Sequence, residues 1–165
     1  MTGGIPADAV SPLGRSDLLA GRVALVTGAS RGIGAAIARA LAAHGASVAV
    51  NFLSRTDRAA RVVEEIEDAG GRAAAFAADV TDPAAVADLM TAVDERFGPV
   101  DTVVNNALRS YTFDPLSRRP AWEVPWADYE SQLAGSLGGA LTVCRAAVPG
   151  TVSYTHLTLP TILRV

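Results

Sequence analysis

The stretch that decides the fold is TGASRGIG, residues 27–34. It follows the run VALV, residues 23–26, which is short and apolar and is typical of a strand buried on both faces. It leads into an alanine-rich segment in which Ile33, Ile37 and Leu41 recur at the spacing of one helix face. The sequence therefore predicts a strand, a glycine-rich turn and a helix in succession.

The turn has the residue types that bind a pyrophosphate. Gly28 permits a tight turn, Gly32 lets the backbone approach the anion, and Gly34 allows the helix to pack closely on the strand. The spacing is G-x-x-x-G-x-G rather than G-x-G-x-x-G, and a plain connection that needs positive φ is the alternative. A Walker-type loop is excluded because the chain contains no lysine, so dinucleotide binding is favoured. The expected cofactor-binding residues of the turn are Gly28, Ser30, Arg31, Gly32, Ile33 and Gly34.

Strands and helices continue to alternate after the turn. Strands are predicted at residues 47–52, 72–77 and 100–104, and helices at 33–44, ending at Gly45, at 56–68, at 83–97 with Asp82 as the N-cap, and at 126–148. This alternation predicts an α/β fold, a Rossmann-type doubly wound parallel sheet that is incomplete, with about four strands and flanking helices. We expect residues 20–150 to form the N-terminal part of a dinucleotide-binding Rossmann domain, preceded by a flexible leader at residues 1–19.

The end of the second predicted strand favours NADP(H) over NAD. NAD sites usually place an acidic side chain there, where it accepts a hydrogen bond from the ribose 2′-OH, but this chain has Asn51 in the strand and Arg55 after it. Arg55 and Arg31 of the turn have planar bidentate donors that pair well with a 2′-phosphate. The alternative is that both are solvated surface arginines. We expect Asn51, Arg31 and Arg55 to bind the cofactor, with NAD less favoured than NADP.

The composition excludes several classes of function. The chain has 165 residues, 50% of them hydrophobic and 19% charged, with a net charge of −3, as in one ordinary domain. All 14 basic residues are scattered arginines, which argues against a nucleic-acid partner. The only cysteine, Cys144, cannot form an internal disulfide, as is usual in the cytoplasm. There is no signal-peptide pattern and no apolar run long enough for a membrane span.

Three motifs in order resemble the short-chain dehydrogenase/reductase family, and within it the 3-oxoacyl-acyl-carrier-protein reductase-like group. They are residues 27–34, Asp79-Val80 after the third strand, and Asn105-Asn106-Ala107 after the fourth. The resemblance implies that Asp79 and Val80 contact the adenine, and that Asn105, Asn106 and Ala107 brace the sheet and line the cofactor's ribose. It also implies hydride transfer between nicotinamide and a carbonyl or alcohol substrate, in a homodimer or homotetramer. A turn or helix-capping role is the alternative for Asp79.

The chain departs from the family's pattern at its catalytic positions. The family usually has glycine where Leu108 stands and asparagine where Ser136 stands. Its catalysis uses a tyrosine with a lysine four residues later, but Tyr154 is followed at that distance by Thr158. We therefore assign no catalytic residue and expect an inactive N-terminal fragment of an oxidoreductase. The alternative is a non-catalytic dinucleotide-binding or sensing module of the same fold.

The last segment differs in composition from the rest. Alanine occurs 32 times up to Ala147 and never afterwards, whereas residues 152–161 are rich in threonine. This segment also resembles the translation of a transposon-type sequencing adapter. A real strand is the alternative, since threonine, tyrosine and leucine suit one. We expect residues 151–165 to be a non-native tail.

Overall fold

A computed structural model describes residues 17–108 and 120–151 of the chain. Most of the predicted leader, all of the predicted tail except Thr151, and part of the connection between the fourth strand and the last helices lie outside the described residues.

The described residues form a parallel sheet with helices on both faces. The elements are β1 (Val23–Val26), α1 (Gly32–Ala43), β2 (Ser47–Phe52), α2 (Thr56–Asp68), β3 (Arg72–Ala77), α3 (Pro83–Phe97), β4 (Thr102–Val104), α4 (Trp126–Leu133) and α5 (Gly139–Thr151). The strand order is β3-β2-β1-β4, and every pair is parallel. The predicted α/β doubly wound fold is confirmed.

Two apolar layers hold the helices to the sheet. Alternate residues of β1 point to opposite faces, as the pleat of a strand requires. Val26 packs in a cluster that includes Ala38 of α1 and Val62 of α2. Leu25 packs in a second cluster that includes Val86 of α3 and Val143 of α5. Because β1 is covered on both faces, its four residues are all buried.

The first helix buries a different face from the one its large apolar residues mark. Its buried residues are Gly34, Ala35, Ala38 and Ala42, whereas Ile33 is 75% exposed and Ile37 and Leu41 pack only at the edge of the core. Small side chains let a helix axis lie close to a sheet, so the alanines rather than the isoleucines form the contact. The predicted stop at Gly45, whose φ is +96°, is confirmed.

The fourth strand begins later than predicted. Regular pairing with β1 starts at Thr102 rather than Val100. The Asp101 carboxylate accepts a hydrogen bond from the Val23 backbone N–H at 3.1 Å. A side chain thus takes the place of a ladder carbonyl just before the strand begins.

The predicted helix at residues 126–148 is interrupted. A π-helical turn, Ala134–Gly138, separates α4 from α5. Glycines are frequent here, and they adopt wider helical geometry at low steric cost. A Cβ on Gly139 would lie 2.8 Å from Cγ2 of Val80, so this glycine lets the helix pass close to the segment that follows β3.

Candidate functional site

A cleft of about 1100 Å³ lies at the carboxyl ends of the strands. The turn between β1 and α1 forms its centre, and the segments after β2, β3 and β4 form its walls, as is usual for ligand sites in open α/β sheets. Eleven of the thirteen predicted cofactor residues line it: Gly28, Ser30, Arg31, Gly32, Ile33, Asn51, Arg55, Asp79, Val80, Asn106 and Ala107. Gly34 and Asn105 do not.

Gly28 and Gly32 of the turn both have positive φ but differ in their surroundings. Gly28 has a φ of +63°, and a Cβ there would lie 2.9 Å from Cα of Ala107. Gly32 has a φ of +56°, and a Cβ there would meet nothing within 4 Å. The backbone at Gly32 is therefore open to the cleft, which is the condition for close approach of an anion to its N–H groups.

Gly34 lies behind the turn rather than in the cleft. A Cβ on Gly34 would lie 2.5 Å from Nδ2 of Asn106 and 2.9 Å from the carbonyl oxygen of Gly28. The predicted role in close packing fits this geometry, although the packing partners are the turn itself and the segment after β4. Gly34 is not among the residues that line the cleft, and its contact with the cofactor stays a prediction.

The side-chain amide of Asn51 forms hydrogen bonds with the protein backbone. The side chain is 2% exposed. Its Oδ1 accepts a hydrogen bond from the Gly28 backbone N–H at 3.3 Å, and its Nδ2 donates to the carbonyl oxygens of Phe76 at 3.3 Å and Ala78 at 3.1 Å. All three bonds are internal, so the amide positions the turn, and the contact of Asn51 with the cofactor stays a prediction.

Thr27 is a positioning residue that the sequence analysis missed. Its hydroxyl donates to the carbonyl oxygen of Val104 at 3.3 Å and accepts from the backbone N–H groups of Asn106 and Ala107, both at 3.0 Å. Asn106 completes the connection, because its Nδ2 donates to the carbonyl oxygens of Thr27 at 2.9 Å and Gly28 at 3.2 Å. The predicted bracing role of Asn106 is thus visible in its contacts.

Asn105 points away from the cleft. Its Nδ2 donates to Sγ of Cys144 on α5 at 3.3 Å. Asn105 therefore connects the end of β4 to a helix and is not among the residues that line the cleft. The sequence analysis assigned it to the cofactor's ribose together with Asn106, because two neighbouring asparagines cannot be told apart without knowing the side of the strand on which each lies.

Asp79 forms the turn that was the alternative to its adenine contact. Its Oδ1 accepts hydrogen bonds from the Thr81 backbone N–H at 2.9 Å and the Thr81 hydroxyl at 2.7 Å. Asp79, Val80 and Thr81 all line the cleft. The carboxylate thus shapes this wall, and both roles are compatible with its position.

Three exposed arginines line the cleft, two of them after β2 and one in the glycine-rich turn. Arg31 lies in the turn, Arg55 precedes α2, and Arg58 lies in the first turn of α2. Within residues 17–108 and 120–151, no carboxylate forms an ion pair with any of them. Arg58 was not among the residues predicted from the sequence, because its place beside the cleft depends on the strand order.

The cleft is also lined by Leu108 and Gly135. Both lie at or next to positions where this chain differs from the family's usual sequence. Leu108, which stands where the family usually has glycine, lines the cleft and is 75% exposed. Gly135, next to Ser136, lies in the π-helical turn and also lines it. The sequence analysis did not place either residue among the site residues.

Metal-binding clusters and membrane-spanning helices are both absent from the described residues. Residues 17–108 and 120–151 contain no cluster of three or more histidine, cysteine, aspartate or glutamate side chains that would hold a metal ion. None of the helices in these same ranges has the length and apolar character needed to cross a membrane.

A parallel sheet with a glycine-rich turn at the start of its first helix and a cleft across the strand ends defines a dinucleotide-binding α/β protein. The family model described as short chain dehydrogenase matches residues 22–155. The chain belongs to the short-chain dehydrogenase family.

Individual relatives agree with this assignment. Versicolorin reductase of Emericella nidulans is 53% identical over 89 residues, which are 54% of this chain and 34% of that protein. An uncharacterized oxidoreductase of Methylorubrum extorquens is 52% identical over 89 residues, 54% of this chain and 36% of that protein. The matches thus span about a third of the curated relatives.

Solved structures match over a longer part of the chain. A dehydrogenase/reductase from Sinorhizobium meliloti superposes with a TM-score of 0.73 at 39% identity, covering 82% of this chain and 52% of that one. A short chain dehydrogenase from Burkholderia cenocepacia, in complex with NADP, superposes with a TM-score of 0.69 at 39% identity, covering 80% and 51%. The chain spans about half the length of these structures.

Proposed function

We propose that this chain is the cofactor-binding part of an NADP(H)-dependent short-chain oxidoreductase. The observation that carries the proposal is that three exposed arginines line the cleft, while no acidic residue stands at the end of β2. The residues that follow β2 are Leu53, Ser54 and Arg55, and the first acidic residue after them, Asp57, does not line the cleft. A 2′-phosphate pairs well with guanidinium groups, and a 2′-OH pairs with a carboxylate.

The shape of the cleft fits a dinucleotide. The open backbone at Gly32 and the start of α1 provide N–H groups for the pyrophosphate, and Ser30 adds a hydroxyl. Arg31, Arg55 and Arg58 would hold the 2′-phosphate, and the wall at Asp79 and Val80 would contact the adenine. When bound, NADPH supplies a hydride to a carbonyl carbon. The NADP bound by the Burkholderia relative supports this choice of cofactor.

The reaction of the whole protein would be hydride transfer between nicotinamide and a carbonyl or alcohol, with 3-oxoacyl thioester-like compounds as candidate substrates. The 165-residue chain would not perform it. The family resemblance implies a tyrosine paired with a lysine, and the chain contains no lysine. The proton transfer to the reduced oxygen would thus lack its expected donor pair.

The whole protein is proposed to be a homodimer or homotetramer in the cytoplasm. Trp126, Leu133, Leu137 and Leu141 expose apolar side chains along α4, the π-helical turn and α5. Exposed apolar side chains on neighbouring elements are typical of a surface that another subunit covers. The single cysteine supports a reducing compartment.

Calorimetric titration of the full chain with NADPH and NADH tests the cofactor assignment. We expect NADPH to bind at least about tenfold more tightly, since one or two charge-assisted hydrogen bonds are gained. Equal affinities, or tighter binding of NADH, would contradict the proposal. An assay of NADPH oxidation with carbonyl compounds tests the second part, and turnover by this lysine-free chain would show that it is wrong.

The genomic sequence beyond the codon for Gly150 separates the enzyme from the sensing module. A frame that encodes a serine and then a tyrosine with a lysine four residues later supports the oxidoreductase. A frame without these residues supports a non-catalytic module. If the genome also encodes residues 152–165 as they stand, the proposed non-native tail is wrong.

A further inference from the structure

The two ends of the cleft lie on opposite sides of the glycine-rich turn. Strands β2 and β4 flank β1 on its two sides, so Arg55, after β2, and Leu108, after β4, line opposite ends. In folds of this class the adenosine half of a dinucleotide lies beside the end of the second strand. The end of β4 is therefore the wall available to the other half.

Leu108 extends from a part of the backbone that is fixed. The preceding residue, Ala107, donates its backbone N–H to the Thr27 hydroxyl at 3.0 Å. Its Cα also lies 2.9 Å from where a Cβ on Gly28 would stand, so Ala107 is in close contact with the turn. The Leu108 side chain begins one residue beyond this contact, and it is 75% exposed.

We propose that Leu108 is a cofactor-binding residue that makes an apolar contact with the nicotinamide half of the cofactor. This inference rests on the proposed function. Contact with the ligand would remove the leucine side chain from water, which favours binding. Ile33 lines the same cleft from the turn and provides a second apolar surface, so this half of the ligand is held by burial, whereas the arginines hold the adenosine half by charge.

Leu53 provides a matched control. It is also a leucine that lines the cleft, and it is 66% exposed, but it follows β2 and so lies at the adenosine end. Truncation of either leucine removes the same side-chain atoms from an exposed position. A difference between the two variants therefore reports on the location of the contact and not on leucine in general.

The test is calorimetric titration of the full chain and its Leu108→Ala and Leu53→Ala variants with two probes, NADPH and 2′,5′-ADP. The second probe contains the adenosine half with its 2′-phosphate but no nicotinamide. We expect Leu108→Ala to weaken NADPH binding about fivefold and to leave 2′,5′-ADP binding unchanged. Leu53→Ala should weaken both probes by similar factors. Circular dichroism checks that each variant is folded.

The outcomes separate this inference from the proposed function. If the unaltered chain binds neither probe, the proposed function is wrong and the role of Leu108 is wrong with it. If the unaltered chain binds both, the inference alone is overturned by any of three results with Leu108→Ala. These are equal weakening of both probes, no change in either, or tighter binding of NADPH.

Discussion

The side chain of Asn51 connects Gly28 of the glycine-rich turn to Ala78, directly after β3. Its Oδ1 accepts the Gly28 backbone N–H at 3.3 Å, while its Nδ2 donates to the carbonyl oxygen of Ala78 at 3.1 Å. A single amide thus positions the start of the turn relative to the end of β3. The site depends on this relationship, because the turn forms the centre of the cleft.

Replacing Asn51 with leucine should destabilise the fold. Asn51→Leu keeps a similar size but leaves the Gly28 N–H and the carbonyl oxygen of Ala78 without their partner, at a cost of about 2–3 kcal/mol. Urea unfolding followed by circular dichroism measures the loss. Asn105→Leu is the control, since it removes one hydrogen bond to a sulfur atom, and we expect it to cost less than about 1 kcal/mol. Equal losses would argue against the special role of Asn51.

The Thr27 hydroxyl should contribute more to the free energy of unfolding than the Thr27 methyl group does. Thr27→Val keeps the shape of the side chain but leaves the N–H groups of Asn106 and Ala107 without their acceptor, and we expect a loss of about 2–3 kcal/mol in unfolding free energy. Thr27→Ser keeps the hydroxyl and should cost only about 1 kcal/mol. If serine proves the more damaging substitution in thermal or urea unfolding, packing rather than hydrogen bonding explains this position.

Local signals in the sequence were sufficient for most of the fold. The apolar run at residues 23–26 predicted a fully buried strand, and Asp82 before Pro83 predicted a capped helix, whose cap is confirmed by the bond from the Ala84 N–H to the Asp82 carboxylate. The π-helical turn at Ala134–Gly138 was not predicted. Gly139, directly after it, lies close to Val80, which is distant in the sequence. Contacts between distant segments leave no local periodicity.

The same limit applies to the candidate site. Residue type and motif position predicted which segments form the cleft, but they could not show which side chains of those segments point into it. Asn51 and Asn105 have the right type and position, yet their amides are used inside the protein. Arg58 lines the cleft because α2 begins beside the turn, and that placement follows from the strand order and not from the helix's own pattern.

A methyl group at Gly34 should disrupt the turn. In Gly34→Ala the new Cβ would lie 2.5 Å from Nδ2 of Asn106 and 2.9 Å from the carbonyl oxygen of Gly28, so the segment after β4 or the turn must move. We expect a loss of about 2–3 kcal/mol in unfolding free energy, together with weaker NADPH binding. Gly138→Ala is the control, because its nearest neighbour would be 3.9 Å away and alanine favours helix by about 1 kcal/mol. A tolerated Gly34→Ala would show that the turn can move without cost.

The arginines at the β2 end of the cleft should distinguish NADPH from NADH. Arg58→Ala should weaken NADPH binding about five- to tenfold, because a charge-assisted contact with the 2′-phosphate is lost at a partly solvated site. NADH lacks that phosphate, so its affinity should change by less than about twofold. Arg61→Ala is the control on the same helix, since Arg61 is exposed but does not line the cleft. Because salt screens exposed charges over roughly 10 Å at 0.1 M, the preference for NADPH should also diminish as the salt concentration rises. Calorimetry of the three chains with both cofactors measures these effects. A similar loss in Arg58→Ala and Arg61→Ala would mean that the two arginines attract the phosphate over a distance, and that Arg58 makes no defined contact with it.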